Sequence, residues 1–317
     1  ELATDKFIAP ATAEEIYNPA RYDLLPRFRS GHPANVYLGN QLPNIGMLNY
    51  SPQQFHVLLN RTGTGLPENV KEQARAKIRD LNLMADDMVY NPKRTHSTFF
   101  LPLAQDDSIQ QIVLLEEDSF DRALLDNIFF DFKGGLISKL VEREDSLVVD
   151  IGANIGNHTL YFANELGARK VIAFEPVPQT FQILHTNVLL NDLQDRVELH
   201  NQGMSDKPGQ AVISSYNRGN IGGTALRQGQ GTLVLTTLDS LNLQNVTMIK
   251  IDVEGMELET LSGAFETIKR TRPFVMIESF IEKAPLTEEF FAKLDYRHIM
   301  TEANNFLYYP AEYEDWH

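Results

Sequence analysis

The sequence predicts an α/β fold, a mostly parallel sheet with helices on both faces, and two observations carry that prediction. From about residue 147 onward, short β-branched runs alternate with stretches of helical length, as repeated βα units do. Within that region, Val148-Val149-Asp150-Ile151-Gly152-Ala153-Asn154-Ile155-Gly156-Asn157 reads as a buried strand that breaks into a glycine turn and then a helix. An acidic residue, Glu175, ends the next strand.

Residues 1 to about 95 read differently. They carry Pro10, Pro19, Pro26, Pro33, Pro43, Pro52, Pro67 and Pro92 and few strand-like runs. Short helices are expected at Thr12–Tyr17 and Ser51–Leu59. A longer one is expected from about Glu68 to Met88, with Pro67 at its start, where a missing N–H costs nothing. The expected organisation is a mainly helical N-terminal extension over 1–95 and an α/β domain over 96–317. The extension has no readable motif. Its aromatics Tyr17, Tyr22, Phe28, Tyr37 and Tyr50 suit packing better than ligand stacking. Its expected role is to shape an acceptor site or a homo-oligomer contact.

In the domain, Ser97–Leu103 and Ile109–Leu115 read as a hairpin around Gln105-Asp106-Asp107. Asp118–Phe132 reads as an amphipathic helix stopped by Gly134-Gly135. Strands are then expected at Leu147–Ile151, Lys170–Glu175, Val197–Gln202, Met248–Asp252 and Phe274–Glu278. The helices expected between and after them are His158–Leu166, Gln179–Leu190, Glu257–Gly263 continuing to about Lys269, and Thr287–Leu294. A hairpin, Ala211–Ser215 with Thr232–Leu235, interrupts the alternation. The pair Arg297–Thr301 and Asn305–Tyr309 closes the chain.

Composition narrows the function. The 317 residues carry a formal charge of −15, which repels nucleic acid and anionic membrane. There is no cysteine, so disulfides, thiolate zinc sites, iron–sulfur sites and cysteine nucleophiles are excluded. No apolar run is long enough to span a bilayer, and the first residues resemble no secretory leader. A cytoplasmic protein is therefore expected, and the N-x-S/T matches at Asn60, Asn157 and Asn245 read as chance.

Three motifs carry chemistry. The first is Asp150-x-Gly152-x-Asn154-x-Gly156, followed by Asn157 at a helix start with free N–H groups. A dinucleotide fingerprint needs G-x-G-x-x-G, so this turn suits a nucleoside without a pyrophosphate. S-adenosylmethionine is such a ligand, and Asp150 could face its ammonium tail. A plain turn in a βα unit explains the motif as well. The second is Glu175-Pro176, a carboxylate at a strand tip placed for ribose hydroxyls. The third is Met248-Ile249-Lys250-Ile251-Asp252-Val253-Glu254-Gly255, a buried strand delivering two carboxylates at its carboxyl edge, where open α/β sheets bind ligands. Helix capping is the alternative reading of these acids.

Together with Ser205-Asp206, Met256-Glu257 and Leu261-x-Gly263-Ala264, these motifs resemble the FkbM family of S-adenosylmethionine-dependent methyltransferases. The Lys250–Glu254 run with Gly255 and Glu257 is the most specific part, and the resemblance covers about residues 97–310. It implies a Rossmann-like methyltransferase fold with a seven-stranded, mostly parallel sheet and a C-terminal antiparallel hairpin. It also implies S-adenosyl-L-methionine as cofactor and O-methylation of a sugar, glycan or polyketide-like small molecule. By the same resemblance Ser205-Asp206 would meet the adenine, and Asn217–Thr224 would be a lid over the acceptor or a plain surface loop. His158 stands where the family often has an aromatic or small residue.

The hydroxyl proton must leave during methyl transfer, which needs a base. The candidates are Asp252, Glu254, His158 at a helix start, and Glu278 at the end of the fifth strand. Metal assistance by Asp252 and Glu254 lacks a supporting ligand cluster, and no metal is expected. The rival classes are a nicotinamide oxidoreductase and a non-catalytic nucleoside-binding protein.

Overall fold

The computed structural model describes residues 68–80, 89–217, 219–279, 282–302 and 304–316. The helices expected at Thr12–Tyr17 and Ser51–Leu59 lie outside these residues, as does the 81–88 part of the Glu68–Met88 helix. The described part of that helix is Glu68–Asp80, α1. Among the described residues, no helix is long and apolar enough to cross a membrane.

Val89–Tyr90 (β1) pairs antiparallel with Phe99–Phe100 (β2), so backbone bonds cross the position where the sequence reading divides the chain. The expected hairpin of Ser97–Leu103 with Ile109–Leu115 does not form. Ser108–Glu116 is a helix, α2, whose first turn is capped by Asp107 accepting from the Gln110 N–H at 3.0 Å. Seven of its residues, Ser108 to Leu114, are buried, so no polar stripe marks it as helical in the sequence. Lys77 of α1 is buried against it and donates to the Leu114 carbonyl at 2.6 Å and to Glu117 Oε1 at 2.8 Å. Arg122–Asp126 (α3) continues through a π turn to Asp131, as the sequence led one to expect. Leu136–Val141 (α4) is an additional helix.

From Leu147 the expected elements are found within three residues of their expected bounds, the first helix counted with the π turn that carries it on to Glu165. The strands are Leu147–Ile151 (β3), Lys170–Phe174 (β4), Val197–His200 (β5), Val246–Ile251 (β10), Phe274–Glu278 (β11), Tyr296–Glu302 (β12) and Asn305–Pro310 (β13). They form a seven-stranded sheet in the order β12-β13-β11-β10-β3-β4-β5. β5, β4, β3, β10 and β11 run parallel, and β13 is antiparallel to both β11 and β12. This is the Rossmann-like methyltransferase arrangement with its closing hairpin. The connecting helices are Asn157–Leu160 (α5), Pro178–Leu190 (α6), Glu257–Ser262 (α7), Phe265–Thr271 (α8) and Ala284–Ala292 (α9).

The remaining strands make a separate four-stranded sheet of Gly203–Met204 (β6), Gly209–Ser215 (β7), Ala225–Gln228 (β8) and Leu233–Thr236 (β9). The expected pairing of β7 with β9 is present, and β8, not expected, covers the other edge of β7.

Alternating residues of the central strands feed two cores. Val148, Val171 and Met248 pack with α2 to α6 on one face. Leu147, Val149, Ile151, Ile249 and Ile251 pack with α7 to α9 on the other. The order in which successive strands are added reverses between β3 and β10, which opens a crevice at their carboxyl ends.

The crevice floor is tight. Gly152 has φ +77°, and a Cβ there would sit 1.7 Å from the Asp252 carbonyl oxygen. Backbone against backbone leaves no side chain to move aside. Gly152→Ala is expected to reduce unfolding free energy by about 3 kcal/mol or more, as steric and left-handed strain combine. Urea denaturation reads this, and a loss below about 1 kcal/mol would contradict the close approach.

Candidate active site

One pocket occupies the crevice, with about 1160 Å³ of free space counting its open mouth. The glycine turn after β3, the tips of β4, β10 and β11, and the segment 220–224 between β7 and β8 supply its walls.

At the β3 end, Gly152 and Ala153 both donate to the Phe174 carbonyl, at 3.0 and 2.9 Å. Asn154 follows at φ +51°, a left-handed geometry that asparagine tolerates better than most residues. The Asn154 N–H donates to Glu175 Oε2 at 3.0 Å, and the Val177 N–H donates to Glu175 Oε1 at 2.9 Å. Glu175 is thereby pinned at the pocket wall and buried. Burial pushes its carboxyl up to about 7, against the two backbone N–H groups. The Asn154 side-chain oxygen is buried in the pocket wall with no partner.

Gly156 (φ +92°) precedes α5, and a Cβ there would meet Leu184 Cδ1 at 2.7 Å. Its work is packing, since it does not line the pocket. Asn157 does line it, but its amide is engaged: Oδ1 accepts from the Phe120 N–H at 2.8 Å and Nδ2 donates to the Phe120 carbonyl at 2.9 Å.

Asp150 sits beneath the floor, fully buried and outside the pocket lining. The group facing it is Lys250, its register partner on the adjacent strand. Lys250 Nζ is 3.6 Å from Asp150 Oδ1 and 3.4 Å from Asp252 Oδ2, and it donates to the Gly152 carbonyl at 2.8 Å. Thr159 Oγ1 donates to Asp150 Oδ2 at 2.6 Å. Burial pushes the Asp150 carboxyl up, with Lys250 and the Thr159 hydroxyl opposing. Burial also works against the Lys250 charge, but Asp252 and Asp150 outweigh it and hold the ammonium above its ordinary value.

The opposite wall is acidic. Asp252 follows β10, Glu254 stands two residues on at φ +49°, and Glu278 ends β11; all three line the pocket. Burial, then Asp252 and Glu257, push the Glu254 carboxyl up to about 8. His158 lines the same pocket at the start of α5, with Nε2 3.9 Å from Asp121 Oδ2 and its ring beside Phe120 and Phe162.

Ser205 and Asp206 do not join them. β6 ends at Met204, and both side chains are taken by Gln228 Nε2, at 2.6 Å each. Asp206 is exposed, and that hydrogen bond, more than the Ser205 hydroxyl and Lys207, holds its carboxyl below the ordinary range. Gln202, Gly203 and Met204 line the pocket in their place.

Residues 150–307 match the family model for the methyltransferase FkbM domain. This region is an FkbM methyltransferase domain. Among curated proteins, methyltransferase sdnD of Sordaria araneosa is 28% identical over 156 residues, 38% of this chain and 60% of that protein. The hexuronic acid methyltransferase AglP of Haloferax volcanii is 29% identical over 144 residues, 43% of this chain and 56% of that protein. The chain thus spans less than two thirds of either relative. Among solved structures, methyltransferase FkbM of Methylobacillus flagellatus KT is 21% identical with a TM-score of 0.39, covering 65% of this chain and 56% of that one.

Sequence reasoning missed several parts of the FkbM pocket. Lys250 stood in the most specific run of the resemblance but was given no role, and only its register with Asp150 shows one. Ile109 and Phe120 come from the region misread or read only as helix, and Ile221 and Thr180 carry no chemical signature. A methionine matches the shape of this buried lysine but not its charge. Lys250→Met is expected to lower unfolding free energy by about 3 kcal/mol, because Asp150 would then be buried without its cation. Lys250→Met with Asp150→Asn should recover part of that loss in a denaturant double-mutant cycle; strict additivity would show that the pair is not coupled.

Proposed function

We propose that this FkbM domain, residues 96–317, transfers a methyl group from S-adenosyl-L-methionine to a neutral hydroxyl of a sugar, glycan or polyketide-like small molecule. The observation that carries the reading is one continuous pocket with Glu175 pinned at its β4 end and Asp252, Glu254 and Glu278 at its other end.

The pocket suits the cofactor chemically. Gly152 makes the turn at φ +77° on the pocket floor, and the buried Asn154 oxygen in the wall lacks a partner. Glu175 offers a carboxylate for paired ribose hydroxyls, and the wall acids favour a ligand bearing net positive charge. Gly152, Asn154 and Glu175 would hold the nucleoside. Asp150, Gly156 and Asn157 shape the turn from behind, and Ser205-Asp206 supports the adenine side from outside the lining. When bound, S-adenosylmethionine supplies an electrophilic methyl carbon on a sulfonium.

The chain's own task is to align the acceptor and take its proton. Glu254 has the properties of that base: it is half-buried in the pocket wall, held by the turn at Gly255, and poised near 8. Asp252 stays beside Lys250, where it orients the acceptor hydroxyl and disfavours a second negative charge. His158 and Glu278 complete the wall. Among the described lining residues, Lys250 is the sole lysine or arginine and is already engaged, which favours neutral over carboxylated or phosphorylated acceptors.

Calorimetric titration with S-adenosylmethionine and, in parallel, NAD tests the cofactor. The expected outcome is binding of the former alone, weakened by about 1–3 kcal/mol in Glu175→Ala, the worth of charge-assisted hydrogen bonds. Binding of NAD, or Glu175→Ala binding as wild type, would overturn it.

The base has its own test. A proton acceptor must be ionised to work, so turnover should rise with pH and level off above about 8, the Glu254 value. Glu254→Gln should lose about 10²–10⁴-fold in turnover and lose that rising limb. Retention of the limb in the variant would assign the base elsewhere.

A further inference from the structure

The glycine-rich segment between β7 and β8 has an anchor that neither the motif nor the proposed reaction accounts for. Ile221–Gly223 forms a 3₁₀ turn, capped by Asn220 Oδ1 accepting from the Gly223 N–H at 3.3 Å. Asn220 to Thr224 all line the pocket. The two glycines mark what the turn covers. A Cβ on Gly222 would stand 2.7 Å from Asn154 Nδ2, and one on Gly223 would stand 3.8 Å from Glu254 Oε1. The turn therefore bridges the pocket from the Asn154 end to the Glu254 end.

What holds it is Asp107, fully buried at the start of α2. One carboxylate oxygen accepts from Gln110 N–H at 3.0 Å, and the other accepts from Ile221 N–H at 2.9 Å. The adjacent Ser108 N–H donates to the Gly219 carbonyl at 3.0 Å, and the Ser108 hydroxyl bonds the same oxygen. The Ile221 side chain is buried in the core cluster that holds Ile109. Capping α2 alone does not call for this arrangement, since a serine hydroxyl caps as well without burying a carboxylate. The second oxygen is explained by the turn it reaches. Burial pushes the Asp107 carboxyl up to about 6, with the Gln110 and Ile221 N–H groups holding it down and Asp106 as the neighbouring charge.

We propose that Asp107 is a positioning residue of this active site: its two oxygens tie the first turn of α2 to the Ile221 amide and hold residues 219–223 as a fixed roof over the pocket. The proposal rests on the cofactor reading above, because the roof's function is to retain the nucleoside beneath Gly222.

The test is Asp107→Ser, which keeps a cap for α2 but is too short to reach Ile221. Hydrogen exchange of the ligand-free protein should show residues 220–223 losing protection about tenfold, the worth of one hydrogen bond, while α2 and the central strands keep theirs. The dissociation rate of S-adenosylmethionine should rise about tenfold, with its KM rising more than kcat falls. Asp107→Asn, which keeps one acceptor, should fall between. Unchanged exchange at Ile221, or loss of protection spread over α2 and the sheet, overturns the tie. An altered exchange with an unchanged dissociation rate overturns the positioning role. Wild-type protein that binds no S-adenosylmethionine sinks the cofactor reading and this proposal with it, whereas equal dissociation from both proteins sinks the proposal alone.

Discussion

Everything at the crevice depends on one ammonium group. Lys250 lies between β3 and β10 and answers two carboxylates and a carbonyl at once: Asp150, Asp252 and Gly152. Those groups sit at the carboxyl ends of two parallel strands on either side of which the strand order runs in opposite senses, so the lysine ties side chains and backbone together where the pocket floor forms. Gly152 makes the approach sterically feasible, and Lys250 compensates the charge that the approach buries. A fully buried Asp150 without a cation would be costly, and a buried lysine without carboxylates would be no better. Each accounts for the other, and together they set the position of the Gly152-to-Asn154 turn on which Glu175 is pinned.

This arrangement separates the acids by role. Asp150 is spent on structure, with Thr159 and Lys250 as its partners. Glu175 accepts two backbone N–H bonds, which orient its oxygens at the wall of the cavity. Glu254 is held at φ +49° between neighbours of its own sign, and that crowding together with burial makes it a weak acid and therefore a usable base. Residues of nearly the same chemistry thus differ by what faces them.

The sheet was legible in the sequence because buried parallel strands are near-continuous apolar runs bounded by turns, as in Leu147–Ile151 and Val246–Ile251. The glycine turn, Glu175, Asp252 and Glu254 were legible because glycines and acids at strand ends are out of place unless something needs them. Buried on nearly every side, α2 showed apolar density without amphipathic contrast, and its cap, Asp107, looked like part of a turn. β8 is short and half-exposed, so it left no run to see. Ser205-Asp206 carried the family's pattern, but Gln228 occupies both side chains, a contact fixed by the pairing of β8 with β7 and invisible along the chain.

The anchor of the roof shows the same limit most clearly. Asp107 and Ile221 are 114 positions apart, and the bond joins a side chain to a backbone amide, which no residue-type pattern encodes. The glycines at 222 and 223 were visible as a lid or loop signal. Whether such a segment swings or stays put depends on whether its backbone amides are satisfied by something rigid. Here the Ile221 amide is satisfied by Asp107 at the start of α2, which is itself packed against α1 through the buried Lys77. One short helix thus joins the pocket's cover on one side, through Asp107, and α1 on the other, through the Leu114 carbonyl.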